Sequence, residues 1–181
     1  MTLGFAGERV SLRPLTVADV SDAYVGWMND AVTNRFMETR WRAHIRSDVE
    51  AFVAEKVASS ADHLFGIFLN AAAKSGGRHI GNLKIGPIDY NHSRGELSYF
   101  IGDEAARGQG FASEAVALGV RIGFTQLGLH KLTAGIYAQN GESGRVLSKN
   151  GFKAEGRRPS HFAFKGGRDD MVEYGLLNPD A

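Results

Sequence analysis

The stretch Arg107-Gly108-Gln109-Gly110-Phe111-Ala112-Ser113 carries the residue types best suited to chemistry in this chain of 181 residues. It lies between a strand-like segment and an apolar run of helical spacing from Gly110 to Leu127. Glycines let backbone N–H groups approach a ligand, and a helix N-terminus adds unpaired donors and the positive end of its dipole, so the pattern suits a pyrophosphate. An ordinary strand-to-helix turn has the same local appearance. A dinucleotide fold would add an acidic residue about 20 positions further on for a ribose. No Asp or Glu lies between Glu114 and Glu142, so that fold is excluded. A Walker loop needs Gly-Lys-Ser/Thr, which follows no glycine-rich turn here.

Downstream stand Asn140-x-x-Ser143 and Lys149-Asn150-Gly151-Phe152. Asn140 reads as a turn residue and helix N-cap. Two further side chains could move protons: Glu96, at the start of a strand, and His161, in the C-terminal hairpin region. The plainer readings are an exposed Glu on an alternating strand and a structural His. The closest pair of histidines, His79 and His92, is too far apart for a metal-ligand motif, so no metal is expected.

Periodicity outlines the elements that must position these groups. A strand from Glu8 to Leu15 alternates Val10 and Leu12 with Ser11 and Arg13, then meets Thr16-Val17-Ala18-Asp19. This reads as a helix start, with Leu15 and Val20 as a hydrophobic staple. Val17, Val20, Tyr24, Trp27 and Met28 repeat at helical spacing, and Ser47-Asp48-Val49-Glu50 reads as the capping box of a second helix carrying Phe52, Val53 and Val57. Segments near His63–Leu69 and His79–Ile88, joined by Ser75-Gly76-Gly77, and a third from Gly95 to Gly102 read as an antiparallel meander. After the long helix, stopped by Gly128, come a strand from Lys131 to Ala138 and a short helix from about Glu142 to Asn150. A hairpin follows with arms Phe152–Phe164 and Asp169–Leu177, turning on Lys165-Gly166-Gly167-Arg168. The spacing predicts one α/β domain over residues 1–181, a mixed sheet with helices on its faces.

Composition narrows the partners. With 21 Lys+Arg against 20 Asp+Glu, the net charge of +1 argues against a nucleic-acid-binding face. The absence of cysteine excludes a disulfide framework, thiolate metal sites and a cysteine nucleophile, and points to a cytoplasmic location. Apolar runs such as Leu64–Leu69 fall below the ~18 residues of a membrane span, so no membrane partner is expected. Met1-Thr2-Leu3-Gly4-Phe5 shows neither an export signal nor a myristoylation site.

Taken together, Arg107-x-x-Gly110-x-Ala112, the strand that follows, Asn140-x-x-Ser143 and Lys149-Asn150-Gly151-Phe152 resemble the GNAT acyltransferase superfamily, most closely its RimJ/RimL branch. The resemblance covers nearly the whole chain. It implies a mostly antiparallel sheet with two splayed central strands, and an N-acetyltransferase that moves acetyl from acetyl-CoA to a primary amine. It also implies that backbone N–H groups of Arg107, Gly108, Gly110, Phe111 and Ala112 hold the pyrophosphate, and that Phe100-Ile101-Gly102 pairs with the pantetheine arm. Asn140 would hydrogen-bond that arm, Ser143 would lie near the sulfur, and Arg145 and Lys149 would meet the 3′-phosphate. Glu96 and then His161 are the candidate bases. Many members carry a Tyr acid where this chain has Leu147, so the Ser143 hydroxyl or water must serve. Tyr99 and Tyr137 lie on neighbouring strands, where alternation makes each a core or wall residue and gives no reason to aim its hydroxyl at the sulfur.

The acceptor is less defined. Arg35, Arg40, Arg42 and His44, interleaved with Phe36, Met37 and Trp41, and a second basic segment with Arg157, Arg158 and Lys165, are expected to rim its cleft or to be solvated surface charge. A peptide or protein amine is the first reading, an amino sugar or other small amine the second. An acyl-CoA sensor without catalysis is the non-enzyme alternative, and the protein is expected to be a monomer or homodimer.

Overall fold

The computed structural model describes residues 3–70 and 77–180. Strands β1 (Phe5–Ala6) and β2 (Val10–Pro14) precede helices α1 (Asp22–Asn29) and α2 (Arg46–Ala58). Strands β3 (His63–Leu69), β4 (His79–Asp89) and β5 (Arg94–Ile101) form the expected meander. Of its first connection, Ser75 and Gly76 lie outside the described residues. Helix α3 (Phe111–Arg121), strand β6 (Lys131–Tyr137), helix α4 (Gly141–Lys149) and the hairpin of β7 (Lys153–Phe164) and β8 (Gly167–Leu177) complete the chain.

The strands form one sheet in the order β1-β2-β3-β4-β5-β6-β8-β7. Every neighbouring pair is antiparallel except β5 and β6, which run parallel and pair only from Arg94–Lys131 to Glu96–Thr133. Beyond Glu96 the two strands part, leaving one edge of β5 without a strand partner in the middle of the sheet.

Helices cover both faces. Alternation in the strands sends Leu12, Phe65, Ile67 and Leu83 to a core shared with Ala115, Val116 and Leu118 of α3 and Leu147 of α4. Leu64 and Phe68 point the other way, to a second core with Tyr24 and Met28 of α1 and Val49 and Val53 of α2. Among the described residues, no helix is long and apolar enough to cross a membrane.

Several element boundaries differ from the sequence expectation, each for a local reason. Thr16 begins only a short 3-10 turn, Val17–Asp19, in which the Asp19 carboxylate accepts from the Thr16 N–H at 2.8 Å. The α-helix starts later, capped by Ser21, whose hydroxyl accepts from the Tyr24 N–H at 3.2 Å. Helix α2 starts one residue before Ser47, because the Asp48 carboxylate caps the Ile45 N–H at 3.2 Å. The apolar run after Gly110 is α-helical only to Arg121 and closes in a wider π turn over Ile122–Gln126. The final hairpin turns on Lys165 and Gly166 alone, both at positive φ, which suits a two-residue turn.

Candidate active site

Two clefts meet where β5 and β6 part. The larger, a cavity of about 590 Å³, is lined by Phe100, Ile101, Arg107, Gly108, Gly110, Phe111, Ala112, Asn140, Ser143, Arg145 and Lys149, with Val32, Thr33 and Arg35 from the loop after α1. The smaller, about 460 Å³, runs between β4, β5 and β6 on one side and the α1–α2 region on the other. Phe36, Tyr99, Phe100, Asn140 and Ser143 line both, so the wall between them is also their junction.

At the floor of the larger cleft, Gly108 and Gly110 adopt φ of +72° and +81°, a left-handed conformation that side chains disfavour. Their N–H groups have no acceptor among the described residues, and Phe111 and Ala112 stand in the first turn of α3, whose N–H groups lack intrahelical partners. These donors converge at the positive end of the helix dipole. The helix end is anchored by Glu114, which accepts from the N–H groups of Arg9 at 2.7 Å and Val10 at 3.2 Å and pairs with the Arg9 guanidinium at 3.0 Å. Burial pushes the Glu114 carboxyl up, but those donors outweigh it and hold the group below its ordinary value.

Arg107 corrects one expectation. Its N–H is donated to the Glu104 carbonyl at 3.1 Å and is not free for an anion. Its guanidinium instead ties the end of β5 to the loop after α1, donating to the Gly102 carbonyl at 3.0 Å, the Ile101 carbonyl at 3.3 Å and the Thr33 hydroxyl. Gly102 is a second correction. Its N–H goes to the Ile80 carbonyl at 2.9 Å and is not left for a pantetheine arm, and its carbonyl already accepts from Arg107 at 3.0 Å. A Cβ at Gly102 would lie 2.1 Å from the Trp27 ring, and that packing accounts for the glycine.

Asn140 caps α4 as its sequence context suggests, accepting from the Ser143 N–H at 3.3 Å. Arg145 and Lys149 are exposed on α4 and line the larger cleft, with no ion-pair partner among the described residues. Of the basic segment expected at the acceptor rim, Arg35 faces the larger cleft, whereas Arg42 and His44 line the smaller. Arg40 is a brace, donating to the Tyr137 hydroxyl at 2.6 Å and the Ala163 carbonyl at 2.8 Å. Arg157 and Arg158 are paired with Asp170 at 2.6 Å and Glu173 at 2.7 Å.

The candidate bases are not brought to the junction. Glu96 is exposed at the paired foot of β5 and lines neither cleft. His161 is exposed in a bulge of β7, its ring edge against Phe162, and also lines neither. Carboxylates that do line the smaller cleft are Glu38 and Asp48, which the sequence reading passed over. Glu38 lies in the segment already singled out for its cations, and Asp48 in the capping sequence of α2, where it accepts from the Ile45 N–H. Glu38 accepts a short hydrogen bond from the Tyr137 hydroxyl.

Tyr99 departs furthest from expectation, whereas Tyr137 is the buried wall residue that alternation suggests. The Tyr99 hydroxyl is 2.9 Å from the Ser143 hydroxyl, at the junction of the clefts. Burial pushes the Tyr99 pKa up to about 12, against the opposing pull of the Ser143 hydrogen bond. Tyr137 also rises to about 12, through burial and its contact with Glu38, but its hydroxyl is committed to Glu38 and Arg40.

Comparison with known proteins accords with this geometry. A family model described as "Acetyltransferase (GNAT) domain" matches residues 9–153. The probable N-acetyltransferase YjcK of Bacillus subtilis is 36% identical over 130 residues, 70% of this chain and 67% of its own. The crystal structure of spermidine N-acetyltransferase from Vibrio cholerae in complex with CoA and spermine superposes with a TM-score of 0.84 at 20% identity, covering 94% of this chain and 96% of that one. RimL, a ribosomal L7/L12 alpha-N-protein acetyltransferase in complex with coenzyme A, superposes with a TM-score of 0.83 at 15% identity, covering 98% of both chains. The match over most of the sequence, on a sheet that splays beside a glycine-rich helix N-terminus, shows that the chain belongs to the GNAT family and is an N-acetyltransferase.

Proposed function

We propose that this protein transfers the acetyl group of acetyl-CoA, held in the larger cleft, to a primary amine that enters by the smaller cleft, both substrates being bound together. The observation that carries the reading is the sharing of Tyr99, Phe100, Asn140 and Ser143 by both clefts. The larger cleft fits the cosubstrate on its own chemistry. Unpaired N–H groups at Gly108 and Gly110 suit a pyrophosphate, Arg145 and Lys149 suit a further phosphate, and the unpaired edge of β5 suits an extended amide arm.

In the reaction the amine nitrogen bonds to the thioester carbonyl carbon, and the carbon–sulfur bond breaks with its electron pair leaving on sulfur. A thiol has a pKa of about 8.5, so the thiolate is an adequate leaving group and asks for a hydrogen bond rather than a strong acid. Ser143 supplies it. Tyr99, protonated at neutral pH, donates to the Ser143 oxygen and so frees the serine O–H to turn toward the junction. An α-amine of pKa about 8 or a lysine amine of about 10.4 must shed a proton before attack. Glu38, on the smaller cleft, is better placed to accept it than Glu96 or His161. The acceptor we favour is a peptide or protein amine, a class to which the named substrate of RimL belongs, whereas spermine, bound in the Vibrio cholerae structure, represents a small polyamine.

Gly110→Asp tests the cosubstrate assignment. It places a carboxylate among the anion-binding N–H groups and a side chain at φ +81°. Calorimetry with acetyl-CoA is expected to show binding weakened by at least ~2 kcal/mol in the folded variant, and unchanged affinity would remove the assignment.

A further inference from the structure

Asn82, in the middle of β4, is 3% exposed and lines the smaller cleft, yet its amide nitrogen Nδ2 is buried with no hydrogen bond of good geometry, only a weak one to the Tyr24 hydroxyl. Leaving such a donor poorly paired is costly, so natural structures rarely do so without a reason. Its orientation follows from the neighbouring histidine. The His79 Nε2 lies 3.0 Å from the Gly81 carbonyl, which can only accept, so Nε2 carries the proton. The same nitrogen is 2.8 Å from the Asn82 side chain, which must therefore present its oxygen to the ring and turn its NH₂ away. Packing holds the imidazole in place, stacked on Phe68 and edge-on to Tyr24 and Trp27. The donor is thus fixed by a chain from Gly81 through His79 to Asn82.

On the Asn82 side of the sheet the cleft wall includes the apolar Met28, Val49 and Leu64, which pack with Tyr24 and Phe100 in the second core. Asn82 is the cross-strand neighbour of Phe100, at the junction of the clefts, and so lies about one strand spacing (~5 Å) from the β5 edge. An amine poised at the junction would bring the groups next to it over Asn82. Among the described residues no free cation stands on this floor: Lys84 is paired with Asp62 at 3.3 Å, Arg42 is exposed, and the His44 Nε2 is engaged by the Thr39 carbonyl at 2.8 Å. A carboxylate would be buried there without a countercharge, whereas a neutral carbonyl needs only the one N–H.

We infer that Asn82 is a specificity residue whose amide N–H receives a neutral carbonyl oxygen of the acceptor, so that the cleft selects amines carrying an amide carbonyl near the reacting nitrogen. The inference rests on the acetyl-transfer reading. Its test measures kcat/KM for alanyl-alaninamide, for two alkene isosteres that each replace one amide and so lack one or the other carbonyl oxygen, and for a simple diamine, each corrected to the neutral amine. With the wild-type protein, one isostere is expected to fall at least ~10-fold below the parent. In Asn82→Leu and Asn82→Asp, neither of which can donate, that ratio should collapse toward unity. Melting temperature and CoA affinity report whether the variants are intact, and Asn82→Gln, which keeps the donor, should retain part of the ratio. Equal rates for parent and both isosteres in the wild type, or an undiminished ratio in the intact Asn82 variants, would overturn the inference. Acetylation of the diamine but of no carbonyl-bearing acceptor would overturn it and leave acetyl transfer standing, whereas no acetylation of any acceptor would overturn both.

Discussion

The hydroxyls of Tyr99 on β5 and Ser143 on α4 are 2.9 Å apart at the junction of the two clefts. In the proposed reaction the tyrosine is the donor of this pair and the serine hydroxyl serves the leaving group. Ser143→Ala and Tyr99→Phe should each lower kcat by about tenfold, less than the ~10²–10⁴-fold typical of essential acid–base groups, with cofactor affinity little changed. Because they act as one unit, the double variant should be no slower than the slower single one. Multiplying losses in steady-state kinetics would show that the residues act separately.

The pH profile follows from the same pair. Burial raises the Tyr99 pKa to about 12, so its phenol stays protonated through the neutral and mildly alkaline range. kcat/KM should therefore climb as the amine loses its proton and show no downturn from Tyr99 below about pH 10. A fall near pH ~8–9 that Tyr99→Phe abolishes would contradict the assignment.

Away from the site, Arg13 grips Asp19 through two hydrogen bonds of 2.9 and 2.6 Å, and its guanidinium lies 4.0 Å over the Phe68 ring. The Arg13 hydrogen bond holds the Asp19 pKa down at about 2, against a smaller upward push from burial. A carboxylate depressed by folding contributes stability above its unfolded pKa and loses it as pH falls through the folded one. Asp19→Asn should thus cost about 1 kcal/mol at neutral pH, after allowance for solvent screening. The difference from wild type should narrow between about pH 4 and pH 2. Denaturant melts across that range measure it, and a gap independent of pH would exclude the ion pair as its cause.

The glycine turn before α3 and the cap of α4 were legible in the sequence because their signals are local. Gly108 and Gly110 mark the left-handed turn, and Asn140 marks a cap that is satisfied three residues on. The Arg107 N–H was misassigned because the 3-10 turn Glu104–Ala106, whose C-cap is Arg107, is not visible as a pattern. Tyr99 and Ser143 are far apart in sequence and meet only because β5 leaves β6 after Glu96, a departure that alternation in either strand does not encode. Asn82 was missed for a related reason. A polar residue in an inward strand position looks the same whether its partner is a neighbour or a substrate.

The most direct measurement is thiol release from acetyl-CoA, followed with and without a panel of primary amines, with mass spectrometry of the amine products. The account predicts release that depends on amine and saturates in both substrates, with equal amounts of thiol and N-acetylated product. Saturable acetyl-CoA binding with no acetylated product on any amine would contradict it and leave a cofactor-binding module in place of an enzyme.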